Sequence, residues 1–209
     1  SRQSISFSEN GKRVAYQERL RDINIWKVAF DPASGQVDGE PVQITKSSRP
    51  LGRPALSPDG NWLAYNTSYG DQIDIFVVRA DGTGRRQLTD DLHWDFQPQW
   101  SPDGEKIAFY SDRSGSYEIW TIHPDGSGLE QLTDVPGQSI NFPDWSPDGL
   151  RMVYDNWTDG ATHIFDPNKP WKEQVPLTLP PMSEAAERFL VQSWSPDGRW
   201  LAGVDFSAG

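Results

Sequence analysis

The chain has 209 residues, of which 35% are hydrophobic, so it is long enough to bury one sizeable core. Thirty acidic side chains against nineteen basic ones give a formal net charge of −11, which argues against nucleic acid or an anionic lipid surface as partner. No apolar run approaches the roughly 20 residues that insert across a bilayer, and the absence of cysteine excludes disulfides and thiolate chemistry.

One four-residue motif, Ser-Pro-Asp-Gly, recurs along the chain. Copies begin at Ser57, Ser101, Ser146 and Ser195, and a degenerate copy begins at Ser8. Successive copies start 49, 44, 45 and 49 residues apart. A period of this size indicates a stacked or radial repeat architecture rather than an ordinary globular core.

Each repeat predicts four short strands separated by tight turns. The proline and glycine of Ser-Pro-Asp-Gly suit a type I turn closed by a residue with positive φ. The second strands follow these turns, at residues 13–16, 62–65, 106–110, 151–154 and 200–204. The third strands are predicted at 24–26, 74–77, 117–122 and 163–165, and the fourth at 43–45, 87–89, 129–133 and 176–178.

Four strands per repeat at this period are typical of β-propeller blades. We therefore predict an all-β fold, a β-propeller of four-stranded antiparallel blades that forms a single domain over residues 1–209. The predicted blades are about 3–45, 53–89, 96–133 and 141–178, followed by a half-blade at 190–209. These four and a half blades predict an incomplete or open ring, and we expect a parent ring of about six or seven blades.

The repeat also resembles a known family. The motif W-S-P-D-G, followed by I-A-F, a D-G-S-G turn and Q-L-T, is similar to the WD-like repeat of TolB-like β-propellers over essentially the whole chain. The resemblance implies a propeller but does not choose among its hosts. These include TolB of the Tol-Pal envelope system, prolyl-oligopeptidase-like and tricorn-like peptidases, oligogalacturonate lyases, and sensor regions of bacterial kinases and regulators.

The candidate site lies in the loops at one end of the propeller. Loops between blades, and those between second and third strands, surround one mouth of the channel, and variable loops on a rigid scaffold commonly bind ligands. The richest loop is 90–96, DDLHWDF. The alternative is that its aromatic residues pack against the next blade. We predict ligand-binding residues at Arg49, Arg53, His93, Trp94, Asp95, Phe96, Asn141, Phe142, Arg188 and Phe189.

No catalytic, metal or cofactor site is predicted. The chain lacks a G-x-S-x-G elbow, H-E-x-x-H, a P-loop and G-x-G-x-x-G. The histidines His93, His123 and His163 are scattered, and the polar loop 112–118 lacks the bidentate glutamate of a calcium loop. The repeated serines are interpreted as hydrogen-bonding groups of their turns rather than as nucleophiles.

Our first functional hypothesis is a non-catalytic TolB-like propeller that binds a protein or peptide at the channel mouth. The resemblance implies a periplasmic or extracytoplasmic location, although the N-terminal sequence lacks the pattern of a signal peptide. The alternatives are the substrate-gating propeller of a prolyl-oligopeptidase-like or tricorn-like serine peptidase and the sensor domain of a bacterial kinase or regulator. A lyase is disfavoured because clustered histidine ligands are missing. The ends of an open ring also predict possible self-association.

Overall fold

The computed structural model describes residues 5–7, 13–19, 23–47, 49–69, 71–180 and 188–206. They form strands and one short 3-10 helix, Trp171–Glu173, and no helix among them is long and apolar enough to cross a membrane. The strands are β1 (Ile5–Phe7), β2 (Arg13–Arg19), β3 (Ile23–Asp31), β4 (Gln36–Gln43), β5 (Ala55–Leu56), β6 (Trp62–Tyr69), β7 (Gln72–Arg79), β8 (Arg86–Gln87), β9 (Asp95–Trp100), β10 (Ile107–Ser111), β11 (Glu118–Ile122), β12 (Glu130–Gln131), β13 (Ile140–Trp145), β14 (Met152–Asn156), β15 (Thr162–Phe165), β16 (Leu177–Thr178), β17 (Arg188–Trp194) and β18 (Leu201–Phe206).

The strands pair in chain order into antiparallel sheets. Four sheets have four strands each, and the fifth has two. We call them blade 1 (β1–β4), blade 2 (β5–β8), blade 3 (β9–β12), blade 4 (β13–β16) and blade 5 (β17–β18). This architecture confirms the predicted all-β fold of four-stranded antiparallel propeller blades.

The blades pack face to face around a common axis. Strand β1 contacts β5, β5 contacts β9, β9 contacts β13, and β13 contacts β17, so the first strands of successive blades lie side by side. Strand β10 is buried throughout. Successive side chains of a strand point to opposite faces of the sheet. Ile107 and Phe109 therefore pack with residues of blade 2, whereas Ala108 packs with residues of blade 4. Each inner blade therefore needs a neighbour on both sides.

The Ser-Pro-Asp-Gly turn is held by its serine. The Ser101 hydroxyl donates to Asp103 Oδ1 at 2.5 Å and accepts the backbone N–H of Lys106 at 2.9 Å. Gly104 has φ +75°, a conformation that glycine adopts readily. The same pair of hydrogen bonds recurs in the other three turns, as the interpretation of these serines as turn groups predicted, at Ser57, Ser146 and Ser195.

The threonine of the Gln-Leu-Thr motif has a similar local role. Its hydroxyl accepts the N–H of an isoleucine in the third strand at 2.8, 3.0 and 2.9 Å in blades 1, 2 and 3. In a regular ladder a backbone carbonyl of the fourth strand would accept this N–H. Because the hydroxyl accepts it instead, the regular pairing of the third and fourth strands ends there. In blades 1, 2 and 3 the fourth strands therefore stop before the predicted threonine, although β4 begins at Gln36, earlier than predicted. In blade 4, β16 includes its threonine, Thr178. The pairs are Thr45 with Ile25, Thr89 with Ile75 and Thr133 with Ile119.

We expect Ser101→Ala to lower the free energy of unfolding by about 1–2 kcal/mol, because it leaves the Lys106 N–H without its acceptor. Urea denaturation followed by circular dichroism measures the change. Ser195→Ala is the matched control, since Ser195 makes the same bonds in a more exposed turn and should lose less. An equal loss of unfolding free energy in both variants would contradict the expectation that burial of the turn raises the cost of the missing hydrogen bond.

Candidate functional site

Loops from neighbouring blades meet at the end of the channel opposite the Ser-Pro-Asp-Gly turns. The backbone N–H of Trp94 donates to Asp112 Oδ1 at 3.0 Å, and its indole N–H donates to the carbonyl of Asp71 at 2.9 Å. Arg49 Nη1 donates to the carbonyl of Ser68 at 3.1 Å. In each case an interblade loop bonds to a loop between second and third strands or, for Arg49, to the end of the second strand β6. We call this continuous surface the channel mouth.

Aromatic side chains form an unbroken set of ring contacts at the channel mouth. Phe96 stacks on Tyr110 with 5.2 Å between ring centroids, and Tyr110 lies 5.8 Å from Phe142. The outer members are Trp94, 6.4 Å from Phe96, and Trp157, 5.5 Å from Phe142. Tyr117 also contacts this set. We call these residues the mouth cluster: Trp94, Phe96, Tyr110, Tyr117, Phe142 and Trp157.

A cation lies on the mouth cluster. The Arg53 guanidinium is 5.5 Å from the centroid of the Phe142 ring, a contact that is worth about 0.5–2 kcal/mol. Arg53 precedes the first strand of blade 2, whereas Phe142 is in the first strand of blade 4. A contact between residues two blades apart requires both side chains to point towards the central axis. Trp94 and Trp157 are 46% and 43% exposed, so a ligand can reach the cluster.

The backbone is strained at this surface. Gln97 and Phe142, at equivalent positions of β9 and β13, are the non-glycine residues with positive φ in the described part of the chain, at +52° and +57°. Strand register shifts at both places, which is the sign of a β-bulge. Such backbone strain costs about 1–3 kcal/mol and clusters at functional sites. The bulges therefore support a functional role for the channel mouth.

Tyr110 is kept as a neutral phenol. Burial raises the pKa of its hydroxyl above the usual range, the neighbouring Tyr117 adds to the shift, and Arg53 opposes it. A protonated phenol can donate a hydrogen bond but cannot serve as a base near neutral pH. The mouth cluster thus offers apolar ring faces, phenol groups and one cation, which suits binding rather than proton transfer.

The interblade loop before β9 is anchored by a buried ion pair. Arg113 Nη2 lies 2.8 and 2.9 Å from the two carboxylate oxygens of Asp95 and 3.2 Å from Asp91. Its guanidinium also covers the rings of Phe109 and Trp120, at 5.4 and 5.2 Å. Burial raises the pKa of Asp95, and Arg113 opposes that shift. Asp95 is fully buried, so it supports the loop from inside and does not present its carboxylate to a ligand.

The structure brings four of the predicted site residues together at the mouth: Arg53, Trp94, Phe96 and Phe142. His93 lies beside them on the rim, with Nδ1 3.4 Å from Asp112 Oδ1. In the described ranges, no three histidine or acidic side chains converge as metal ligands.

Three other predicted residues lie apart from the mouth cluster or are buried beside it. Asn141 is buried, and its amide donates to the carbonyl and hydroxyl of Ser139 at 2.8 and 2.9 Å. The ring of Phe189 lies against the backbone of Gly203 within blade 5. Arg49 bonds to the carbonyl of Ser68 at the end of β6. The side chain of Arg188 falls outside the described residues.

Sequence reasoning missed three members of the mouth cluster, namely Tyr110, Tyr117 and Trp157, as well as the anchoring Arg113. A usable signal was present. Tyr110 and Tyr117 border the loop between the second and third strands of blade 3, and Trp157 follows the second strand of blade 4. Aromatic residues that flank this loop in successive repeats predict a shared surface.

A buried carboxyl group lies near the same loop. Asp74 in β7 is fully buried. Burial raises the pKa of Asp74 to about 6, and the carboxylates of Asp95, Asp90 and Asp91 add to the shift. Burial likewise raises the pKa of Asp155 to about 6. Between the usual pKa of 3.8 and the raised value of about 6, these two carboxyl groups therefore stay protonated in the folded protein but lose their protons in the unfolded chain.

This difference predicts how stability depends on pH. Because the folded pKa of Asp74 is raised from 3.8, its contribution is complete below that value and is lost as the pH rises through about 6. We expect Asp74→Asn to reduce the fall in Tm between about pH 4 and about pH 7, measured by scanning calorimetry. Asp38→Asn, on an exposed strand, is the control. Parallel pH profiles for wild type and Asp74→Asn would contradict the assignment.

Comparison with known proteins places this architecture in a family. The model of the TolB beta propeller domain matches residues 3–202. An uncharacterised protein of Agrobacterium fabrum is 31% identical over 93 residues, which cover 44% of this chain and 30% of that protein. The Tol-Pal system protein TolB of Anaeromyxobacter dehalogenans is 46% identical over 59 residues, which cover 25% of this chain and 14% of the relative. The chain thus spans less than a third of these relatives.

Solved structures agree on the fold. An Agrobacterium tumefaciens protein assigned to TolB has a TM-score of 0.76 at 24% identity, covering 98% of this chain and 74% of that chain. Puromycin hydrolase has a TM-score of 0.69 at 15% identity, covering 98% of this chain and 34% of the enzyme. At such identities the likeness concerns the fold alone. The match of the family model over nearly the whole chain shows that this protein belongs to the TolB β-propeller domain family.

Proposed function

We propose that this chain is a non-catalytic TolB-like propeller that binds a protein or a peptide at the channel mouth. The observation that carries the proposal is the mouth cluster with the Arg53 guanidinium lying on Phe142. Aromatic side chains and arginine dominate the energetic centres of protein interfaces, because they bury large areas while keeping a polar or charged group available. The exposed outer tryptophans and the bulged strands beneath them favour the same surface.

The relatives suggest the setting of this interaction. A curated relative is named a Tol-Pal system protein, and we propose by analogy that the partner of this chain is a protein or peptide of the bacterial envelope, met in the periplasm or another extracytoplasmic compartment. The net charge of −11 disfavours nucleic acid as a partner. Self-association through the edges of blades stays a prediction, and light scattering at several concentrations tests it.

An enzymatic setting is the second candidate. Propellers of similar fold occur in puromycin hydrolase, so this chain could gate substrate for a catalytic domain encoded elsewhere in the same protein. The recurring serines do not support catalysis within the described residues, because each hydroxyl is engaged in its own turn. The complete reading frame separates the two candidates, since a G-x-S-x-G motif on a strand-to-helix turn would indicate the peptidase.

The binding proposal is tested with peptides selected against the purified chain from a random phage-displayed library. Affinity of the selected peptides is measured by isothermal titration calorimetry. We expect Arg53→Ala and Trp94→Ala each to weaken binding about tenfold or more, which corresponds to about 1.4 kcal/mol. Both side chains lie at the surface of the mouth cluster, so their loss removes contact area and charge directly.

Trp200→Ala is the matched control for these variants. Trp200 is 73% exposed and follows a Ser-Pro-Asp-Gly turn at the opposite end of the channel. Its replacement should leave affinity unchanged. Selected peptides that bind wild type and both mouth variants equally would overturn the site, and peptides lost only with Trp200→Ala would move it to the opposite face.

A further inference from the structure

A second site lies between blades 1 and 2, apart from the mouth cluster. It is a cavity of about 320 Å³, and its polar lining includes Lys46, Ser47, Arg49, Tyr65, Thr67 and Arg85. Every charged residue of this lining is a cation, and none of the described residues that line it is acidic. In a chain with 30 acidic and 19 basic residues, this concentration of positive charge is unexpected. We call it the interblade cavity.

The interface between blades 2 and 3 shows which residues occupy the equivalent position there. In blade 2 the ring of Tyr65 pairs in register with Phe76, and in blade 3 Phe109 pairs with Trp120 at equivalent positions. An arginine covers each aromatic pair. Arg113 covers the pair of blade 3, whereas the Arg85 guanidinium lies 4.3 Å from the Phe76 ring and donates from Nε to the Tyr65 hydroxyl at 3.0 Å.

The two arginines differ in their counter-charges. Arg113 is neutralised by Asp91 and Asp95. Counted back from the Ser-Pro-Asp-Gly turn, the equivalent positions before blade 2 hold Ser47 and Leu51. The residue after the Gln-Leu-Thr threonine is also reversed in charge, since Asp90 and Asp134 follow the later motifs and Lys46 follows the first. The cavity beside Arg85 therefore lacks the carboxylates that the repeat supplies next door.

Hydrogen-bond donors at this cavity remain available. The Tyr65 hydroxyl accepts from Arg85, but its own hydrogen has no acceptor among the described residues. Lys46 is exposed and forms no ion pair within the described ranges. The buried Tyr65 hydroxyl and the exposed cations Lys46 and Arg85 suit an oxyanion, because guanidinium and ammonium groups form charge-assisted hydrogen bonds with carboxylate or phosphate oxygens.

We propose that the interblade cavity is a binding site for a small molecule that carries a phosphate or a carboxylate group. Lys46 and Arg85 supply the charge, the Tyr65 hydroxyl donates a hydrogen bond, and the anion takes the place that Asp91 and Asp95 occupy beside Arg113. The site is separate from the mouth cluster, because it lies between blades 1 and 2 and shares no residue with that cluster, although Arg49 in its lining also bonds to Ser68 at the channel mouth.

The test is calorimetric titration of the whole chain with inorganic phosphate, glycerol phosphate and glucuronate, with neutral glucose as the reference. We expect saturable binding of anions and none of glucose. Lys46→Asp places at this position the residue found in the later repeats, and it should weaken anion binding about tenfold or more. Because Lys46 is exposed, circular dichroism and Tm should stay close to wild type. Arg85→Gln should weaken binding as well.

Arg86→Gln is the matched control. Arg86 is exposed on the adjacent position of β8, and its guanidinium covers Trp62 instead of the cavity. Arg86→Gln removes one positive charge, as Arg85→Gln does, and it should leave anion binding unchanged. Tighter binding of glycerol phosphate or glucuronate than of inorganic phosphate would assign the site to an anion carried on a small organic molecule, and the reverse order to the free ion.

Two results would overturn the proposal. One is the absence of binding by every anion at millimolar concentration and low ionic strength, where charge attraction is strongest. The other is an equal loss of affinity in Arg86→Gln and Lys46→Asp, which would indicate general attraction to the surface. Neither result bears on peptide binding at the channel mouth, because the peptide titrations use variants at other residues.

Discussion

The structure depends on the burial of both faces of each inner sheet between its neighbours. A four-stranded sheet with apolar side chains on both faces is stable in water only when each face is covered. Strand β10 shows this directly, because Phe109 faces blade 2 while Ala108 faces blade 4. The hydrophobic cores accordingly lie between blades rather than within one, and each interface determines the position of the loops at its ends.

This packing rule explains why one interface holds a closed ion pair and another holds a cavity lined by cations. The same pair of aromatic positions recurs between blades and attracts an arginine, whose guanidinium stacks on the rings. At the interface of blades 2 and 3, Asp91 and Asp95 compensate the charge of Arg113, and the ion pairs hold the interblade loop before β9. Where lysine and serine replace acidic residues, the same stacking leaves uncompensated positive charge beside a cavity.

The strands, the turns and the repeat could be predicted because they rest on local chemistry. The serine and glycine of each Ser-Pro-Asp-Gly turn act within a few residues of one another, so each copy predicts a hairpin without knowledge of its surroundings. The same reasoning placed Arg53, Trp94 and Phe142 at the correct end of the blades. It placed the ends of the fourth strands of blades 1, 2 and 3 too late, because a threonine hydroxyl ends their pairing.

The sequence by itself determined the period, the antiparallel blades and the end of each blade on which a loop lies. Only the tertiary structure decided which side chains meet, because contacts across the channel depend on the angle between blades and on bulges that redirect a side chain. The contact of Arg53 with Phe142 spans two blades, and Phe142 lies in a bulge of β13 where its backbone has positive φ. Burial also separated Asp95, which anchors Arg113 from inside, from Trp94, which remains exposed.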